Sequence, residues 1–84
     1  MATQPQTILL RKPSVLAAIG ISTSQLYRRI QAGLVTRPVR TGPNSSAWPQ
    51  HEIEAITRAI IAGKPDDQIR ALVTALHAAR AEGV

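Results

Sequence analysis

The stretch VLAAIGISTSQLYRRIQAG, residues 15–33, decides the fold of this chain. Its first part is predicted to be helical, since Pro13 suits a first helical turn and an apolar stripe follows it. That stripe consists of Val15, Leu16 and Ile19. Gly20 is expected to end the helix, because glycine readily adopts the left-handed conformation of a C-terminal cap. Ile21 would then fill the angle toward the next helix.

A second short helix is predicted immediately after this turn. Ser22 and Gln25 form a capping box, in which each side chain accepts a hydrogen bond from the backbone N–H of the other residue. Leu26 and Ile30, four residues apart, form the buried stripe, and Gly33 ends the helix. Two short helices joined by a tight turn are typical of a helix-turn-helix. A purely structural helical hairpin is the alternative.

The residues after the second helix predict a β-hairpin. The segment Val35–Arg40 contains β-branched residues in weak alternation, and residues 41–46 are rich in turn formers. Ala47-Trp48 is the predicted returning strand, and Pro38 would confine the first strand to a sheet edge. Upstream, Ile8–Leu10 is expected to add a strand or to pack on the first helix. A hairpin in this position is a wing.

Two further helices are predicted beyond the wing. The third covers residues 49–62, with an apolar face formed by Ile53, Ile56 and Ile60. The fourth covers residues 66–81, with an apolar face formed by Ile69, Leu72, Val73 and Leu76. Asp66 is placed to pair with Arg70. The predicted fold class is therefore mainly α, a winged helix-turn-helix with a short β-hairpin wing and an additional C-terminal helix.

The chain is expected to divide into three parts. Residues 1–7 form a disordered lead, residues 8–62 form the winged helix-turn-helix domain, and residues 63–84 form the C-terminal helix. An 84-residue chain needs most of its apolar contacts for one core, so the C-terminal helix is expected to complete that core. Its apolar stripe would alternatively support self-association as a homodimer or a cooperative assembly on DNA.

Charge is distributed unevenly along the chain. The first 51 residues contain no Asp or Glu but six basic residues, Arg11, Lys12, Arg28, Arg29, Arg37 and Arg40. A basic half without acidic residues indicates a polyanionic partner. The chain has no cysteine, no signal-peptide layout and no apolar run of the roughly 18 residues that a membrane span needs. We therefore expect a cytoplasmic protein without a membrane partner.

The outward face of the second helix carries the side chains expected to bind duplex DNA. Three of them are assigned to base edges, namely Ser24, Gln25 and Arg28. Three flanking residues are assigned to phosphates, namely Thr23, Tyr27 and Arg29. Two further arginines flank the predicted wing and are expected to contact the DNA backbone or a minor groove, namely Arg37 and Arg40. For the Arg28-Arg29 pair, a solvated helix end is the alternative.

Enzymatic chemistry and single-strand binding are disfavoured. His51-Glu52-Ile53-Glu54-Ala55 begins like a zinc-protease helix but has alanine where the second histidine is required. No metal site, cofactor site or nucleophile–base set can be assembled from the remaining residues. Single-strand binders stack bases on aromatic residues, and this chain has only Tyr27 and Trp48. Trp48 is expected to anchor the core instead.

The order of several short motifs resembles the AlpA-type phage regulators. The resemblance covers roughly residues 8–62, and the motifs are Leu9-Leu10-Arg11-Lys12-Pro13, Gly20-Ile21-Ser22, Leu26-Tyr27-Arg28, Gly33, Gly42 to Trp48 and Glu52-Ile53-Glu54-Ala55. This family, related to MerR-type domains and phage excisionases, implies duplex DNA binding by the helix that carries Leu26-Tyr27-Arg28. It further implies transcriptional regulation, or recombination directionality with an integrase or another regulator as partner.

The chain departs from the family pattern at two places. Leu34-Val35-Thr36 follows Gly33 where Phe-Pro is frequent, and the wing loop Pro43-Asn44-Ser45-Ser46 lacks the basic residue that is frequent there. The fourth helix lies beyond the usual family pattern. It leaves open an alternative function, a phage packaging or structural adaptor of the small-terminase kind, in which that helix would serve assembly.

Overall fold

Residues 8–81 are described by the computed structural model of the chain, so the predicted disordered lead, residues 1–7, lies outside the described part. Four helices surround a small antiparallel sheet, which confirms the predicted fold class. In chain order the elements are β1 (Leu9–Leu10), α1 (Lys12–Ile19), α2 (Thr23–Gln31), β2 (Val39–Gly42), β3 (Ser45–Pro49), α3 (Gln50–Ile61) and α4 (Asp66–Arg80). Among these residues, no helix is long and apolar enough to cross a bilayer.

The turn between α1 and α2 forms as the sequence predicts. Gly20 has a φ of 78°, and its N–H donates to the carbonyl of Leu16, which ends α1. At the start of α2, the Gln25 N–H donates to Ser22 Oγ at 3.3 Å, and the Ser22 N–H donates to Gln25 Oε1 at 3.0 Å. Both halves of the capping box are therefore present, and Ile21 lies partly buried against the core.

The three strands form a sheet in the order β1-β3-β2. Strand β3 is central because it pairs with β1 through Leu10 opposite Trp48 and with β2 through Val39 opposite Ala47. The wing hairpin turns over two residues, Pro43-Asn44, so its strands are longer at the tip than the sequence predicts. A register shift between Arg40 and Gly42 accompanies this short turn.

The first wing strand starts later than predicted, at Val39 instead of Val35. Val35 and Thr36 are buried, and the Thr36 carbonyl accepts a hydrogen bond of 2.9 Å from the indole nitrogen of Trp48. Pro38 has no N–H to donate to a β-ladder. The segment before Val39 is thus held by the core and by the Trp48 indole, and it does not join the sheet.

A single apolar core unites all four helices with the sheet. Its buried members are Val15, Leu26, Val35, Trp48, Ile53, Ile56, Ile69 and Val73. Trp48, 1 % exposed, is the largest of these side chains, which confirms the prediction that it anchors the core. Of the apolar face predicted for α3, Ile53 and Ile56 are buried, whereas Ile60 is 37 % exposed. The α3–α4 connection, itself exposed, leaves the last turn of α3 uncovered.

Helix α4 lies against the rest of the fold along much of its length. Ile69 and Val73 are buried, whereas Leu72 and Leu76 are partly buried against the same core. The expected pairing of Arg70 with Asp66 is replaced by another contact. Arg70 Nε donates at 2.8 Å to the Ala32 carbonyl at the end of α2, because a helix C-terminus offers carbonyls without helical partners.

A buried ion pair joins α3 to α4. The carboxylate of Glu52 is fully buried and accepts two hydrogen bonds from Arg80, at 2.8 Å from Nε and 2.7 Å from Nη2. Arg80 Nη2 also donates to the Arg37 carbonyl at 2.6 Å. A buried carboxylate is tolerated only when it is paired in this way, so Arg80 satisfies Glu52 and attaches α4 to the rest of the fold.

Removing Arg80 should therefore destabilise the protein. In Arg80→Ala the Glu52 carboxylate would be buried without its partner. We expect a loss of about 2–4 kcal/mol in the free energy of unfolding, somewhat less than for a fully buried pair because the Arg80 side chain is 26 % exposed. Denaturant unfolding measures it. Arg58→Ala removes the same charge from an exposed site on α3 and should change stability by no more than about 0.5 kcal/mol; equal losses in both variants would contradict this account.

Candidate nucleic-acid interface

Helix α2 presents opposite faces to the core and to solvent. Leu26 is fully buried, which orients the helix, and Ile30 is partly buried beside it. Six of the predicted contact residues lie on this helix, and five of them are exposed, namely Thr23, Ser24, Gln25, Tyr27 and Arg28. Arg29 is half-buried, in keeping with its predicted place on the flank. The structure thus brings these six residues together on one short helix.

Gln25 is engaged in the helix cap. Its Oε1 accepts from the Ser22 backbone N–H at 3.0 Å and lies 3.3 Å from Ser22 Oγ. A glutamine that reads adenine must accept a hydrogen bond through Oε1 and donate another through Nε2. While the cap is formed, Gln25 is best placed to contact a base by donating a hydrogen bond from Nε2. Ser24 and Arg28 are therefore the stronger candidates for base edges.

Lys12 supplies a positive charge beside α2, a position that the sequence did not predict. Its Nζ lies 5.0 Å from the centroid of the Tyr27 ring, within the range of a cation–π contact. This contact joins the start of α1 to the middle of α2 and steadies Tyr27. Arg11-Lys12 is visible in the sequence as a basic pair, but its approach to a ring fifteen residues away requires the folded helix-turn-helix.

A hollow of about 260 Å³ lies along the second half of α2. It is lined by Gln25, Arg28, Arg29, Ala32 and Leu34. Two guanidinium groups border this hollow, and none of the described residues that line it is acidic. Arginine binds phosphate oxygens and guanine through paired hydrogen bonds, so this surface suits the edge or backbone of a nucleic acid.

The two remaining predicted residues lie in the wing region. Arg40 is exposed on β2 and borders a hollow of about 280 Å³ together with residues of the wing turn, among them Pro43 and Asn44. Arg37 is exposed in the segment that leads into β2, and its main chain is bonded to helix α4. These two arginines therefore lie outside α2, one before the first wing strand and one on it.

His77 on α4 makes one of these main-chain contacts. Its Nε2 accepts a hydrogen bond of 3.1 Å from the Arg37 N–H, which requires this nitrogen to be unprotonated. Burial lowers the pKa of His77 below its usual value of 6.5, the charges of Arg37 and Arg80 lower it further, and Glu52 opposes them. This contact could not be predicted from the sequence, because 40 positions separate the partners.

The family model described as Prophage CP4-57 regulatory protein (AlpA) matches residues 8–56. The chain belongs to the AlpA family. The match covers β1, both helices of the helix-turn-helix, the wing and the first half of α3, whereas α4 lies outside it. Neither the curated proteins nor the solved structures produced a match to this chain.

The AlpA assignment confirms the resemblance drawn from the short motifs. Several residues of those motifs have a structural role in the fold. Gly20 caps α1, Leu26 fills the core beneath α2, and Trp48 occupies the central strand. The family is one of prophage regulatory proteins.

The lowered pKa of His77 predicts how stability depends on pH. Since the folded protein binds the proton more weakly than the unfolded chain, the His77 contribution is complete above about pH 6.5 and is lost as the pH falls from there toward the lower folded pKa. Thermal unfolding between pH 7.5 and pH 5 should show this loss. His77→Gln retains an acceptor without titrating, so its melting temperature should fall less over the same range; identical pH profiles would count against the assignment.

Proposed function

We propose that this AlpA-family chain binds duplex DNA sequence-specifically and regulates prophage genes. The observation that carries the proposal is the outward face of α2, where Ser24 and Arg28 are exposed opposite the fully buried Leu26. Arg28 would bind the O6 and N7 atoms of a guanine, and Ser24 would bind a neighbouring base edge. The nine residues of α2 form a rod of roughly 13 Å, which suits insertion into a major groove.

The flanks of α2 are proposed to bind the DNA backbone. Thr23 lies at the start of the helix, where backbone N–H groups without helical partners favour a phosphate. Tyr27 and Arg29 would contact phosphates beside the groove. Contacts of this kind fix the register of the protein on the duplex, while the base contacts select the sequence.

The wing is proposed to add a second group of contacts. Arg37 and Arg40 are exposed on the segment and strand that lead to the wing turn. An arginine beside a recognition helix can enter a minor groove or bind the adjacent phosphates. The turn itself, Pro43-Asn44, carries no charge, so the wing contacts would come from its strand and not from its tip.

The same surface would serve a transcription regulator and a recombination directionality factor. Family membership favours a regulatory role over a packaging adaptor. One recognition helix reads few base pairs, so two or more copies are expected to occupy neighbouring sites about one helical turn apart. Footprinting on the native locus separates the roles, since protected sites at a promoter indicate transcriptional regulation, and repeated sites at an attachment site indicate partnership with an integrase.

Substitution of the two adjacent arginines should separate base reading from phosphate binding. Arg28→Ala should weaken binding to the selected site by about 1–3 kcal/mol and relax one base position, because a bidentate base contact is lost. Arg29→Ala should weaken selected and mixed-sequence DNA about equally. Selection from a random library followed by titration measures both, with Arg58→Ala as the charge-matched control. Unchanged affinity in both variants would refute α2 as the recognition helix.

Binding should depend strongly on salt. Six basic residues lie in the first 51 positions, and roughly four to six of them could neutralise phosphates, each contributing about −0.9 to the slope of log K against log salt concentration. We expect a slope of roughly −3.5 to −5.5 on duplex DNA. Fluorescence anisotropy over a salt series gives this value, and a slope flatter than about −1 would mean that the basic half is not the contact surface.

A further inference from the structure

The main chain of Arg37 is held at both of its polar groups by α4. Its N–H donates to His77 Nε2 at 3.1 Å, and its carbonyl accepts from Arg80 Nη2 at 2.6 Å. We call this pair of side chains, His77 and Arg80, the α4 clamp. Strand β2 begins only two residues later, at Val39. The α4 clamp therefore holds the chain at the point where it leads into the wing.

Buried groups hold the α4 clamp and the residue next to Arg37 in place. Arg80 is bonded twice to Glu52, whose carboxylate is fully buried on α3. The neighbouring Thr36 is also buried, and its carbonyl is bonded to the indole of Trp48. Consecutive residues are thus fixed by side chains from α4 and β3. A segment held in this way has lost most of its backbone freedom before any ligand arrives.

The side chain of Arg37 takes no part in the α4 clamp, because both hydrogen bonds use main-chain atoms. Arg37 remains exposed while its backbone is fixed. Arg80 also pairs with the buried Glu52 carboxylate, which neutralises its charge. The arrangement presents a guanidinium to solvent from a rigid support, as preorganised binding sites do.

We propose that His77 and Arg80 are positioning residues for DNA binding, which hold the Arg37 backbone so that its guanidinium meets a phosphate without a further cost of ordering the main chain. Preorganisation of this kind raises affinity by reducing the entropy lost on binding. Both residues belong to α4, outside the part of the chain that matches the AlpA family model. The inference rests on the proposed function, since it requires that Arg37 contacts DNA.

A double-mutant cycle on the full-length chain tests this inference. Four variants are compared, namely Arg37→Ala, His77→Leu, the double variant, and His77→Gln. The probe is a mixed-sequence DNA duplex of about 30 base pairs, long enough for roughly three helical turns. Arg37→Ala keeps the main-chain atoms that the α4 clamp holds, whereas His77→Leu removes one of the groups that hold them. Thermal unfolding of each variant establishes that it is folded, and His77→Ala replaces His77→Leu if that variant is not.

The expected result is strong coupling between the two positions. Arg37→Ala and His77→Leu should each weaken binding by roughly 3- to 10-fold, as expected for the loss of a charge-assisted phosphate contact. In the Arg37→Ala background, His77→Leu should add less than about 2-fold, because residues that act through one contact are not additive. His77→Gln restores an acceptor near the Nε2 position and should bind within about 2-fold of the wild type.

Two outcomes overturn the inference while leaving the proposed function intact. One is a His77→Leu effect that is absent, or that is equally large with and without the Arg37 side chain. The other is an Arg37→Ala variant that binds this mixed-sequence duplex as the wild type does, while Arg29→Ala binds it more weakly. If neither Arg29→Ala nor Arg37→Ala changes binding to it, the proposed DNA-binding function fails as well.

Discussion

The fold depends above all on the placement of the Trp48 indole. Trp48 lies on the central strand, opposite Leu10 of β1, and its ring is the largest side chain of the core. Its Nε1 donates to the Thr36 carbonyl, so the one polar atom of a buried ring is satisfied by the segment that leads into the wing. One side chain therefore combines the greatest apolar burial with the hydrogen bond that holds the wing against the body of the protein.

The charged groups of this small protein divide into two sets with different roles. Glu52 and Arg80 form a buried pair that attaches α4 to α3 and to the Arg37 backbone. Arg28, Arg37 and Arg40 are exposed. A buried pair costs desolvation energy, which hydrogen bonds of good geometry offset, whereas an exposed arginine remains available to a ligand at little cost in stability. Arginine thus serves structure in one place and is available for the proposed recognition of DNA in the other.

Helix α2 combines structural contacts with the exposed face that is proposed to bind DNA. Leu26 supplies the apolar contact that fixes its rotation, and the capping box of Ser22 and Gln25 fixes where it begins. On the exposed face, Gln25 is the residue whose side chain forms part of the cap, through its amide oxygen. Lys12 and Arg70 hold the flank and the end of the helix through the Tyr27 ring and the Ala32 carbonyl. A helix of nine residues would be marginal alone, so these contacts are needed to present a stable surface.

Local structural features could be predicted from the sequence alone. Residue types at neighbouring positions predicted the caps of α1 and α2, the buried Leu26, the hairpin and the two later helices. They could do so because backbone geometry and periodic burial act over a few residues. The motifs were sufficient to indicate the AlpA family, and helical periodicity placed Ser24 and Arg28 outward.

Only the tertiary structure decided that Val35 and Thr36 are buried, that Ile60 remains exposed, and that Arg70 bonds to Ala32 instead of Asp66. It also decided that His77 and Arg80 hold Arg37. Such contacts join residues about 40 positions apart, and they depend on how the helices pack, which no local pattern encodes.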